Sequence, residues 1–322
     1  MTRTSLLLTS IAALSLAASS FAQEPLKPSE SGAIPPNTWV DKDTGHRVWR
    51  VSDEPNSGAF YFNVNAYTPD GKQMVYNSPS GVMVLDLATM KSTMLIPNSP
   101  RPADAPAARG GGAGARAIVV GHKTNSVFFT RTDPDTHTNA LYKADTNTGA
   151  IRKLIDLPRG LGVSSINADE TLGVGTYNES DVPGGDPNAP NAFVAPDPTA
   201  ARAGRAAATP PPPTGVQTPN TNPTLGGANV QSDTKGQMME TRLAARIPVV
   251  MFTIRLEPGP NGEKPGHIKV LFHSTDWIGH MLFSPTDPNL ILYCHEGMWQ
   301  KVDRIWLIHA DGTNNKIGRA HV

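Results

Sequence analysis

A short unit of turn followed by strand recurs along this chain, and a recurring unit narrows the possible folds more than composition does. Ala66-Tyr67-Thr68-Pro69-Asp70-Gly71-Lys72 signals a turn ahead of a strand at Gln73–Tyr76. Ser78-Pro79-Ser80-Gly81 then leads into Val82–Leu87, and Ala88-Thr89-Met90-Lys91 turns once more before Ser92–Ile96. The order returns with Gly121-His122-Lys123-Thr124-Asn125 before Ser126–Thr130, then Leu141–Asp145, a turn at Asn147-Thr148-Gly149, and Ile151–Ile155. A third copy opens at Ile166-Asn167-Ala168-Asp169-Glu170 before Thr171–Tyr177. A fourth runs from Phe283-Ser284-Pro285-Thr286-Asp287-Pro288 into Asn289–Cys294, with Arg304–His309 and a turn at Asp311-Gly312 after it. Antiparallel meanders spaced by roughly 45–55 residues are the signature of propeller blades, each a small sheet that needs neighbours to bury its faces. A β-sandwich also has short strands, but it does not repeat this order. The chain therefore reads as an all-β β-propeller of about four blades.

Composition agrees: aromatics are 6% of residues, while glycine (29) and proline (30) are frequent, as turn-rich β-structure requires. A formal net charge of +0 gives no sign of a polyanion-binding groove for nucleic acid. Residues 1–22 read as a secretory signal peptide: Arg3, an apolar run from Leu6 to Ala18, and the small residues Ser20 and Ala22 flanking Phe21. The expected location is periplasmic or secreted, with no membrane attachment after cleavage. Residues 23–38 form a loose segment, and the propeller is expected over 39–315, starting at a strand in Gly45–Val51. Cys294, the sole cysteine, lies in Ile291-Leu292-Tyr293-Cys294 and reads as a small buried hydrophobe, not a reactive thiol.

Two inserts interrupt the pattern. In Pro97–Ala117 the run Arg109-Gly110-Gly111-Gly112 lacks the Gly-Lys-Ser/Thr of a phosphate loop, so a flexible loop is expected. The interval 183–236, rich in Pro, Ala, Thr and Asn, is expected to be a disordered excursion between strands of one blade.

Polar chemistry concentrates between Trp277 and Asn314, where His280, His295, Glu296 and the pair Asp303-Arg304 sit among alternating apolar residues. Trp277-Ile278-Gly279-His280, Tyr293-Cys294-His295-Glu296-Gly297, Val302-Asp303-Arg304-Ile305-Trp306-Leu307 and Asp311-Gly312-Thr313-Asn314 resemble the oligogalacturonate lyases, a polysaccharide lyase family. Thr44-Gly45-His46-Arg47-Val48, Tyr61-Phe62 and the turn Thr68–Lys72 also resemble that family. The resemblance implies a propeller that is seven-bladed at full length and cleaves short galacturonate oligomers from pectin by β-elimination. It also implies a histidine base, an assisting arginine and manganese(II). The arginine falls on Arg304, with one residue fewer after Asp303 than in the family. His280 and His295 fall at substrate-binding positions, and Glu296 reads as a hydrogen-bond partner there. Set against these roles, Arg304 reads as a structural ion pair with Asp303 or with another blade, and the histidines as satisfied core groups.

The base and the metal ligands of the family lie beyond Asn314, so this chain is expected to hold no metal ligands and to be inactive alone. Ile317-Gly318-Arg319-Ala320-His321-Val322 reads as translated adapter read-through, which makes 316–322 an expected non-native tail. Outside the lyase class, the competing reading is a non-catalytic periplasmic propeller that binds sugars or proteins. A hydrolase with paired carboxylates is disfavoured, because no Asp/Glu pair sits in a comparable cluster.

Overall fold

The structure, a computed structural model, describes residues 37–98, 114–133, 135, 138–190, 192–193, 228–298 and 300–318. The signal peptide, nearly all of segment 23–38, the centres of both inserts, His137 and residues 319–322 lie outside the described residues. The chain divides into two compact units, Met1–Arg50 and Val51–Val322.

In the first unit β1 (Thr38–Val40) pairs antiparallel with β2 (Arg47–Trp49). The turn between them is built by one side chain. Asp41 Oδ1 accepts the Thr44 N–H at 2.8 Å and its hydroxyl at 2.7 Å, and Gly45 follows at φ +70°. The same device closes two hairpins of the second unit. Asp86 holds Thr89 ahead of Met90 at φ +56°, and Asp145 holds Thr148 ahead of Gly149 at φ +73°. These bonds favour the ionised carboxylates, and the pKa of each of the three aspartates is lowered, with bonds to the turn threonine as the main cause. An Asp-x-x-Thr turn thus fixes hairpin register locally, before any blade packs.

The second unit is a four-bladed β-propeller arrangement. Blade 1 holds β3 (Gln73–Ser78), β4 (Gly81–Asp86) and β5 (Lys91–Pro97). Blade 2 holds β6 (Arg116–Val120), β7 (Ser126–Thr132), β8 (Asn139–Asp145) and β9 (Ile151–Leu157). Blade 3 holds β10 (Gly162–Ile166), β11 (Leu172–Asn178), β12 (Val249–Arg255) and β13 (Ile268–Ser274). Blade 4 holds β14 (Ile278–Phe283), β15 (Leu290–His295), β16 (Ile305–His309) and β17 (Lys316–Ile317). In each sheet the strands lie in sequence order. Inside β3 runs an irregular segment that bridges it at Gly58↔Asn77 and Tyr67↔Met74, so residues 58–67 take the innermost place of blade 1.

Burial explains the composition of the strands. The sheets of blades 2 and 3 are covered on both faces, and their central strands are near-continuous apolar runs. Along β7, Val127 and Phe129 pack towards Val75, Val84 and Ile96 of blade 1, while Phe128 packs towards Tyr177, Phe252 and Ile254 of blade 3. Along β12, Met251 turns the other way and joins Ile278, Ile291, Tyr293 and Ile308 of blade 4. Blade 2 is also tied to blade 3 by a buried carboxylate. Glu170 accepts from Lys143 Nζ at 2.7 Å, the Thr124 hydroxyl at 2.7 Å, and the N–H groups of Lys123 and Thr124 at 3.0 and 2.8 Å.

Several expectations change. The turn reading left β12 and β13 unmarked, together with the innermost strands β6, β10 and β14. Arg116 and Ala117, placed in the first insert by sequence, belong to β6. The second insert does fall between neighbouring strands of one blade, β11 and β12. Its two ends are ordered, however. Residue Phe193 is buried in the core and meets Tyr177 edge-on at 5.2 Å, and a helix, α1 (Ala228–Ala245), begins inside the interval. Lys316 and Ile317, assigned to a tail, pair with Leu307 and Trp306 as the last strand of blade 4.

Candidate functional site at the mouth of the propeller

The innermost strands carry irregularities at one end of the unit. The register of β6 against β7 shifts between Ala117 and Val119, that of β10 against β11 between Val163 and Ser165, and that of β14 against β15 between Gly279 and Leu282. A bulge re-aims the side chains it releases from the ladder. Ile118, Ser164, His280 and Met281, the residues inside these shifts, all line one cavity of about 700 Å³. Because neighbouring strands alternate in direction, the connections β5–β6, β11–β12 and β15–β16 all open at this same end. The described ends of both sequence inserts and the described ends of the loop from Glu296 to Arg304 therefore lie at one mouth.

His280 adopts φ +48°, a left-handed conformation uncommon for a residue with a Cβ. Such strain persists where surrounding contacts determine it. Here Nε2 lies 3.0 Å from Glu296 Oε1, and the ring stacks on Tyr61 at 5.4 Å and 19°. Gly279 permits this approach, since a Cβ there would sit 2.9 Å from Glu296 Oε1.

Glu296 is the centre of the cluster. Its other oxygen takes Arg304 Nη2 at 3.0 Å, while Arg304 Nη1 donates to the Gly297 carbonyl at 3.2 Å. The Glu296 side chain is 8% exposed and the Arg304 side chain 19%, so the guanidinium is oriented by a buried partner on a side chain that is partly exposed. Arg304 thus pairs with Glu296, and not with Asp303, whose backbone carbonyl instead accepts the Trp306 indole N–H at 2.6 Å. Cys294 is buried beneath the pair; burial first, and then the Glu296 charge, pushes its thiol pKa up.

His295 is next to Glu296 in sequence but belongs to a different assembly. Side chains alternate across a strand, so His295 shares the face of Tyr293, which is buried against blade 3, while Glu296 shares the face of Cys294. His295 Nδ1 is 3.0 Å from Asp276 Oδ2, and its ring packs on Trp306 at 5.0 Å. Arg246, just beyond α1, binds the other Asp276 oxygen. Arg242 of α1 lies over the Trp277 ring at 4.3 Å, and Glu240 binds Lys301 at 2.6 Å. The helix that ends the second insert is thereby pinned to the loops of blade 4 beside the mouth. Sequence reasoning missed Asp276 and Arg246, because nothing in a Pro-rich insert indicates a helix docked on the next blade.

Of the four residues singled out by sequence, the structure joins His280, Glu296 and Arg304 and separates His295. Only His280 reaches the cavity wall; Glu296 and Arg304 stand behind it. Among the described residues no three His, Cys, Asp or Glu side chains converge as a metal site requires.

Residues 261–322 match the family model described as oligogalacturonate lyase. A segment of 57 residues is 37% identical to an oligogalacturonide lyase of Pectobacterium atrosepticum, covering 17% of this chain and 15% of that protein. Another of 59 residues is 36% identical to an oligogalacturonate lyase of Dickeya dadantii, covering 18% and 15%. Among solved structures, an oligogalacturonate lyase in complex with manganese superposes with a TM-score of 0.53 at 19% identity. One from Vibrio parahaemolyticus gives 0.52 at 18%. Each superposition covers 88% of this chain and 59% of the other, so the chain spans about three fifths of the length of these solved lyases.

Proposed function

We propose that this chain is a member of the oligogalacturonate lyase family, as the match over residues 261–322 supports, and that it binds short galacturonate oligomers and supplies the carboxylate-neutralising part of a β-elimination site. β-Elimination removes the C5 proton of a galacturonate, breaks the C4–O glycosidic bond and leaves a C4=C5 double bond; the departing oxygen takes up a proton. The C5 proton is weakly acidic because the adjacent carboxylate is already negative, so a cation on that carboxylate lowers the barrier. Arg304 is assigned that role. The observation that carries the reading is its guanidinium, fixed by Glu296 and the Gly297 carbonyl on a side chain that is still partly exposed. A planar fork held in place matches a carboxylate better than a mobile ammonium.

In this reading His280 contacts the sugar from the wall, and Glu296 holds both His280 and Arg304 in place. His295 acts at a distance, by fixing the loop at Asp276. Manganese accompanies a solved relative, but the described residues offer no ligand set for it, and no step assigned to this chain passes through a metal. His280, held through Nε2 by Glu296, is assigned in this reading to contact with the sugar and not to proton abstraction. The chain is therefore expected to bind its ligand without turning it over. Residues 1–22 would place it in the periplasm or outside the cell, where oligomers released from pectin are met.

Calorimetric titration with digalacturonate and with uncharged galactobiose tests this reading. The acid should bind and the neutral sugar should not, with no near-ultraviolet absorbance of unsaturated product. Equal binding of both sugars would favour a non-catalytic sugar-binding propeller. Absorbing product would show a base that this reading leaves out.

A further inference from the structure

Arg304 is not the cation that faces the cavity; Arg116 is. It opens β6 on blade 2, two blades from His280, and no carboxylate pairs with it among the described residues. The cavity wall holds this guanidinium, the His280 imidazole and the carboxamides of Asn63, Asn77 and Asn139, and it holds no acidic residue. Asn63 Oδ1 is buried without a hydrogen-bond partner, an acceptor that a ligand hydroxyl would satisfy. Asn77 Oδ1 takes the Ala117 N–H at 3.2 Å, which fixes the carboxamide and leaves its NH₂ end to donate. At the mouth, Tyr61 and Phe62 have ring centroids 4.7 Å apart, and Phe62 is 87% exposed, an apolar surface of the kind the C–H faces of a sugar cover. A cation, an orphan acceptor, fixed amides and an aromatic pair together suit a polyhydroxylated anion.

We propose that Arg116 anchors a second uronate subsite in this cavity, with Asn63 and Asn77 reading the hydroxyls of the sugar it holds. The protein then selects oligomers by carrying two carboxylate positions, one at Arg304 and one at Arg116, on different blades. The inference rests on the reading that the mouth takes galacturonate oligomers, and it adds chain-length selectivity to that reading.

The test is calorimetric titration of the whole chain with galacturonate monomer, dimer and trimer. Wild-type affinity should rise with length. Arg116→Gln should weaken the longest bound oligomer roughly ten-fold or more, the usual cost of losing a hydrogen bond to a charged group, and leave the monomer unchanged. Arg116→Lys should recover part of the loss, and Asn63→Asp should deepen it by setting a second negative charge against the ligand. Melting temperatures equal to wild type confirm that these exposed and cavity-facing positions did not unfold the protein. Arg304→Gln should weaken all three ligands. Equal losses at every length for Arg116→Gln, no loss at any length, or no wild-type dependence on length would each overturn the subsite. If Arg116→Gln weakens the trimer while Arg304→Gln changes nothing, the subsite stands and the role given to Arg304 falls. Absence of any galacturonate binding overturns both.

Discussion

Replacing Glu296 by glutamine should lower stability by about 2 kcal/mol. The carboxylate makes two contacts at 3.0 Å, to Arg304 Nη2 and His280 Nε2, from a side chain only 8% exposed. A carboxamide of the same shape keeps an acceptor oxygen for Arg304 and turns its NH₂ group towards His280, which can accept it only as the neutral ring with Nε2 unprotonated, so both contacts lose the carboxylate charge. A hydrogen bond to a charged group contributes about 1.5–3 kcal/mol, and a charge left buried without its partner costs about 3–5 kcal/mol. Arg304 retains the Gly297 carbonyl and its own 19% exposure, so water recovers part of the loss and the estimate falls to the lower range. For a unit of this size each kcal/mol moves the melting temperature by about 2–4 °C, giving a drop of roughly 4–8 °C. The assay is urea and thermal unfolding at pH 7, repeated with Arg304→Met alone and in combination. Residues sharing one network should show a coupling of about 1–2 kcal/mol in that cycle. A Glu296→Gln midpoint within about 0.5 kcal/mol of wild type, or additive single losses, would refute the shared-carboxylate account.

Gly279→Ala should destabilise by about 1–2 kcal/mol, because its Cβ would sit 2.9 Å from a carboxylate oxygen that Arg304 holds in place; an unchanged unfolding midpoint would contradict it. Burial tends to raise the Glu170 pKa, but bonds from Lys143 and Thr124 outweigh it and hold the carboxyl below its usual range. A depressed folded-state value means that its stabilisation is present above the unfolded-state value and lost as pH falls through the folded one. The stability gap between wild type and Glu170→Gln should therefore be full at pH 6 and shrink as pH drops below about 4; a gap that widens on acidification would be the wrong sign. Cys294, buried with its thiol pKa raised, should react with a disulfide reagent at pH 8 about a hundred-fold more slowly in the native protein than in urea; equal rates would show the thiol to be open.

The blades were legible because their turns are local. Asp86 and Asp145 each bind a threonine three residues on, so the chain announces those hairpins without reference to packing. The burial of Cys294 followed from the apolar strand around it. The site was legible as a list of residues but not as an arrangement. Which face a side chain takes depends on strand phase, and phase separated His295 from Glu296 although they are neighbours. His280 reaches the cavity only because β14 shifts register at Gly279, and a bulge leaves no mark that a single sequence shows. Arg116 was hidden at the end of a glycine-rich interval that reads as loop. Asp276 gained its partner Arg246 from the end of an insert whose composition predicts no structure.

The central claim is that the guanidinium of Arg304, oriented by Glu296, binds the carboxylate of a galacturonate. Its most direct test is the affinity of digalacturonate for wild type, Arg304→Lys and Arg304→Gln, measured by calorimetry on variants shown to be folded. The account predicts a roughly ten-fold or greater loss for Arg304→Gln, incomplete recovery by the lysine because it lacks the planar fork, and no measurable binding of galactobiose by any of the three. Digalacturonate affinity that is the same in all three proteins would contradict it.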